Sequence, residues 1–152
     1  MKRDISRSRP TVLIDTNILV SGLVFLEGNE HRILKLAEDK AIVLVLPESV
    51  LEEASTVLGL RFPGHEIFLE AFLLRAAHTI IPWHRIEHHI PLHKHEVRDE
   101  KDAAVLTSTI LAKPEFMITG DKTLREDLKR SHRVARITNI CSSSEFLRNL
   151  SK

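Results

Sequence analysis

The sequence predicts an α/β fold, a central parallel sheet covered by helices on both faces in three layers. Two observations lead to it. Short apolar, β-branched runs alternate with stretches of helical periodicity along the chain. The runs Thr11 to Ile14 and Ala41 to Leu46 are also apolar at successive positions, as in strands buried on both faces.

The elements follow in order. Thr11 to Ile14 is the first strand. Ile33, Leu34, Leu36 and Ala37 mark a helix around His31 to Asp39. Ala41 to Leu46 is the clearest strand, stopped by Pro47. Pro47-Glu48-Ser49 opens the next helix, since proline is tolerated in a first turn. Val50, Leu51, Ala54, Val57 and Leu58 form its apolar stripe and Gly59 ends it. Pro63-Gly64 starts a helix that runs to Arg75, and Thr79 to Ile81 is a third strand closed by Pro82. Residues 83–98 read as irregular and rich in histidine. Glu100 to Ala112 is helical, Glu115 to Thr119 a strand, Thr123 to Lys129 a helix, Val134 to Thr138 the last strand and Ser142 to Leu150 the last helix.

The bulk properties bound the function. A length of 152 residues suits one domain, expected over 11–150, behind a flexible basic tail at 1–10. A hydrophobic fraction of 43% with 28% charged residues is that of a globular, water-soluble chain. Net charge is +1, so any nucleic-acid contact must come from a local patch. Cys141 is the only cysteine, which excludes an intramolecular disulfide and fits a cytoplasmic location. No run is apolar enough to cross a bilayer, no signal peptide is seen, and no membrane partner is expected.

Four acids stand at the same kind of place. Asp15 interrupts an otherwise buried run, VLIDTNILVSGL, where an unpaired charge costs several kcal/mol or is forced to shift its pKa. It either caps a turn or helix, or ends its strand at a crevice and holds something positive. Asp121, in MITGDKTL, follows a strand in the same way, with Gly120 allowing a sharp turn. Ligands in parallel sheets bind outside the carboxyl ends of the strands. Asp102, in RDEKDAAVL, lies on the buried side of a helix start, while Asp99 is better placed as the cap. Of the glutamates in PESVLEEASTVL, Glu53 borders the apolar stripe and Glu52 falls almost opposite it, at about 100° per residue. Carboxylates converging on one rim raise each other's pKa unless a cation joins them. Oxygen-only donors favour Mg²⁺ or Mn²⁺ over zinc.

These four motifs, in this order, resemble the acidic motifs of PIN-domain nucleases, over Thr11 to about Phe146. The likeness is greatest to the toxin branch of toxin–antitoxin pairs. It implies an α/β/α sandwich and a metal-dependent endoribonuclease whose acidic site is Asp15, Glu53, Asp102 and Asp121. Asn17 and Thr119 match polar positions that support the site, and Asp99 matches a further acid before the third motif. The resemblance also implies an RNA substrate, an antitoxin partner and a homodimer.

Two rivals remain. An aspartyl phosphatase wants a second acid two residues after the first, and Asn17 stands there. A catalytically weak RNA- or protein-binding module would be expected to have lost a site acid, and an RNA binder that works by stacking needs more than 5% aromatics. Lys122 and Arg125 are charges that could draw RNA in, although solvated helix faces explain them as well. His84, His88, His89, His93 and His95 lack the ligand spacing of a zinc site.

Overall fold

A computed structural model describes residues 9–150. The tail expected over 1–10 lies outside the described residues apart from Arg9 and Pro10. Five strands form one parallel sheet: β1 (Thr11–Ile14), β2 (Val43–Pro47), β3 (His78–Ile81), β4 (Phe116–Ile118) and β5 (Asn139–Cys141), in the order β3-β2-β1-β4-β5. β1, buried from Val12 to Ile14, sits at the centre. Register pairs Leu13 with Val45 on one side and with Met117 on the other.

Alternate side chains of each strand feed two cores, because successive residues point to opposite faces. Val12, Ile14, Leu44, Leu46, Ile118 and Cys141 face one layer of helices. That layer comprises α1 (Thr16–Val24), α2 (Asn29–Glu38), α3 (Glu48–Arg61), α4 (Glu66–Arg75) and α10 (Ser143–Leu150). Leu13, Val45, Met117 and Ile140 face the other layer. There α5 (Trp83–Ile86), α6 (Ile90–His93), α7 (Ala103–Ala112), α8 (Lys122–Arg130) and α9 (His132–Ala135) pack, with 3₁₀ turns at Lys94–Glu96 and Glu100–Asp102. Both faces of the sheet are therefore covered. Among the described residues no helix is long and apolar enough to cross a membrane.

Three local features differ from the sequence reading. α1 takes up residues that carried no assignment; it buries Thr16, Ile18, Leu19, Val20, Gly22 and Leu23, so little polar face remains to reveal its period. The strand expected at Val134 to Thr138 is instead the end of α9 and a turn, and β5 starts at Asn139. Val134 packs into the core from a helix, and Thr138 spends its hydroxyl on the Pro114 carbonyl at 2.8 Å. β propensity marks a residue that fits a half-buried surface, and a short helix supplies one here. The histidine-rich residues 83–98 are short helices and turns rather than open loop. His93 is buried among them, its Nδ1 2.8 Å from a Glu96 carboxylate oxygen.

Candidate metal and active site

Asp15 is placed by the end of β1. Its backbone is extended, its carbonyl begins α1, and one carboxylate oxygen accepts the Ile18 N–H at 3.1 Å. It is thus a helix cap, as the plain reading of Asp15-Thr16-Asn17 allowed. Capping does not account for its burial, since the side chain is only 7% exposed. The other carboxylate oxygen accepts the Thr119 hydroxyl.

Thr119, fully buried after β4, joins two acids. The same hydroxyl accepts the Asp121 N–H at 3.0 Å, and Asp121 caps α8 by accepting the Leu124 N–H at 3.1 Å. Arg125 turns back along the first turn of α8 and donates to the Thr119 carbonyl at 2.7 Å. It braces the strand end and is not a free surface charge. The only sequence signal for this role is its place one turn after Asp121, which a solvated face would share.

Asp99 accepts the Lys101 N–H at 3.0 Å and caps the 3₁₀ turn that delivers Asp102 to the start of α7. Asp102 makes no capping bond of its own. The turn is held from below by Arg98, whose guanidinium and N–H reach the buried Asp127 carboxylate at 2.9 and 3.0 Å. No pattern in the sequence links these two residues, which are far apart along the chain.

Asp15, Glu53, Asp99, Asp102 and Asp121 line one pocket of about 190 Å³, with Asn17 and a single cation, Lys101, at its wall. The structure therefore brings together all the expected acids and Asn17, with Thr119 supporting from behind. Glu53 and Glu52 are both exposed, yet only Glu53 lines this pocket; Glu52 opens toward Trp83 on the neighbouring surface. A larger pocket of about 580 Å³ lies at the amino ends of β4 and β5. Its only acid is Glu115, so chemistry rather than size locates the site.

The electrostatics follow from the crowding. Burial pushes the Asp15 carboxyl above its ordinary value, against the hydrogen bonds from Thr119 and Ile18, and repulsion from Asp121 and Glu53 adds to the rise. Burial, with repulsion from Asp121, Asp99, Asp127 and Asp15, pushes Asp102 up to about 6. Among the described residues no three His, Cys, Asp or Glu side chains are gathered closely enough to hold an ion as they stand. The donor set nevertheless fits a hard divalent cation. It offers carboxylates from four separate elements, contains neither cysteine nor histidine, and holds acids whose ionisation is opposed by burial and then by neighbouring carboxylates.

A family model described as the PIN domain matches residues 11–123. Among curated proteins, none matches the sequence. Solved structures share its fold. One is VapBC2 from Rickettsia felis, crystallised bound to a DNA fragment from its promoter, with a TM-score of 0.62 and 16% identity over 86% of this chain and 98% of that one. At that identity the likeness is one of fold.

Proposed function

Because the chain belongs to the PIN-domain family, we propose that it is a Mg²⁺- or Mn²⁺-dependent endoribonuclease acting as the toxin of a toxin–antitoxin pair. The observation that carries this reading is the convergence of five acids on one pocket at the carboxyl edge of the sheet, with Asp15 buried beyond what a cap requires. Asp15, Glu53, Asp102 and Asp121 would hold the metal. A bound ion supplies a water of lowered pKa and neutralises charge on the phosphodiester. The overall reaction adds water across a P–O bond, leaving a phosphate monoester on one fragment and a hydroxyl on the other.

The chain's own residues perform the positioning. Thr119 fixes the Asp15 carboxylate and the amide of Asp121 through one hydroxyl, so these two acids keep a set relation. Asp99 shapes the turn that presents Asp102. Asn17 adds a neutral polar group at the wall, and Lys101 is the cation available to an incoming phosphate. An antitoxin partner is supported by the VapBC2 neighbour, a complex of that kind. A homodimer in the cytoplasm completes the reading.

The test is cleavage of single-stranded RNA by purified protein with Mg²⁺ or Mn²⁺. Loss of activity in EDTA and its return with Mn²⁺ are expected. Cleavage that survives complete chelation would remove the metal mechanism.

A further inference from the structure

The net charge of +1 hides a strongly basic corner. Residues 129–136, at the end of α8 and through α9, contain Lys129, Arg130, His132, Arg133 and Arg136 and no acid. Concave surface lies on both sides of them. Lys129 and Arg136 line the pocket of about 580 Å³. Arg130, His132 and Arg133 line a second of about 450 Å³, whose opposite wall carries His93, His95 and Glu96.

Most of this charge has no partner. Arg130 bonds the Asp127 carboxylate at 3.2 Å. The side chains of His132, Arg133 and Arg136 make no hydrogen bond or ion pair among the described residues. Glu96, the single acid of the second cleft, has both oxygens engaged, one by His93 at 2.8 Å and one by the Ser131 hydroxyl at 3.1 Å. A cleft that gathers unpaired guanidinium and imidazole groups, and has already engaged its one carboxylate, suits an anion with several acceptor oxygens.

The corner is joined to the acid pocket by a shared frame. α8 begins with the capping Asp121 in that pocket and ends with Arg130 in the basic cleft. The nine residue steps from one to the other span about 13 Å at about 1.5 Å each. A stacked single strand carries one phosphate per roughly 3.4 Å, so this is about four nucleotides.

We propose that this corner, centred on Arg133 and His132, is a phosphate-backbone subsite that grips single-stranded RNA about four nucleotides from the acid pocket. The proposal rests on the nuclease reading for its substrate. Free phosphate shares the chemistry but offers one contact, whereas a strand reaches several of these cations together.

The experiment measures binding of a short labelled single-stranded RNA by anisotropy in EDTA across a salt series, with Mn²⁺-dependent cleavage in parallel. Arg133→Ala is expected to weaken binding several-fold and to lower the slope of log K against log salt by about 0.7, the value for one phosphate contact on a single strand. Arg32→Ala, an exposed charge on α2 across the sheet, is expected to change neither. In cleavage, Arg133→Ala should raise KM with kcat near that of the wild type, and the effect should vanish for RNAs of about four nucleotides or fewer, which cannot span both places. An Arg133→Ala protein with unchanged affinity and salt slope overturns the proposal. So does displacement of the RNA by inorganic phosphate at equal phosphate concentration, or equal competition by polyglutamate, which would make the corner a site for a free anion or for an acidic protein. Wild type that binds the RNA in EDTA with the expected Arg133 dependence but cuts nothing with Mn²⁺ would sink the nuclease reading and support the corner.

Discussion

Replacing Thr119 with valine keeps the shape of a side chain with no exposed surface and removes one hydroxyl. That hydroxyl donates to Asp15 and accepts from the Asp121 N–H at 3.0 Å. A hydrogen bond to a charged group is worth about 1.5–3 kcal/mol, and leaving an amide unsatisfied adds about 1 kcal/mol where water is partly excluded. Thr119→Val should therefore cost about 2.5–4 kcal/mol in metal-free protein. For a chain of this size each kcal/mol shifts Tm by about 2–4 °C, so melting should fall by roughly 5–16 °C. Thermal melts in EDTA, with urea midpoints beside them, provide the measurement. Thr119→Ser separates the hydroxyl from the methyl: it keeps both bonds and loses one methyl, worth about 0.8 kcal/mol of burial plus any cavity left behind. It should melt well above the valine variant. If valine at 119 melts with the wild type, or serine falls as far as valine, the hydroxyl does not hold the two acids together and Thr119 is core packing.

Three further outcomes are expected. Glu53→Gln should abolish most RNA cleavage while Glu52→Gln leaves it nearly intact, because only Glu53 lines the acid pocket; the reverse ranking in a cleavage assay would put the metal on the wrong side of α3. Asp102 has its pKa raised from 3.8 to about 6, so the fold opposes its ionisation; that penalty is absent below about 4 and complete above about 6. Urea midpoints in EDTA should accordingly show Asp102→Asn gaining on wild type as pH rises through this window, and a gap that narrows would contradict the sign. Gly22→Ala would place a Cβ 2.6 Å from the Leu34 side chain and 2.9 Å from the Glu30 carbonyl oxygen, where α1 and α2 meet; a loss of about 1–3 kcal/mol is expected in denaturant melts, and an unchanged midpoint would show that the two helices separate freely.

Much of this fold was legible because its strands are buried on both faces and so appear as unbroken apolar runs. β1 follows from that alone, as does the existence of β2, although β2 starts two residues later than expected, at Val43, and takes in Pro47. α1 was hidden by the same property: a helix buried nearly all round shows no alternation, and it begins inside the motif that had drawn attention to Asp15. β5 was displaced because Val134, Ile137 and Thr138 have the branched side chains of a strand, whereas pairing depends on a partner, and Glu115 and Phe116 meet Asn139. In the site, helical phase was enough to separate Glu53 from Glu52, and strand ends to find Asp15 and Asp121. The bracing by Arg125 and the clasp between Arg98 and Asp127 could not be read, since each depends on where the chain returns in space. For Asp15 capping and metal binding are compatible, because one carboxylate oxygen caps α1 while the burial and the crowding of the acids call for a further cause.

The cysteine at the end of β5 bears on how the molecule can be handled chemically. Cys141 is 2% exposed, and burial, with some repulsion from Glu145, pushes its thiol up to about 11. At neutral pH about one thiol in ten thousand is then the reactive thiolate. An alkylating dye therefore ignores the folded native chain, and a cysteine introduced on the surface becomes a unique attachment point with no need to remove the natural one. The slow reaction that does occur is informative in itself. The Cys141 carbonyl accepts the Thr119 N–H at 3.2 Å, directly behind the acids. Alkylation of Cys141 thus requires the sheet edge beside the acid pocket to open, and its rate is a clock for that opening.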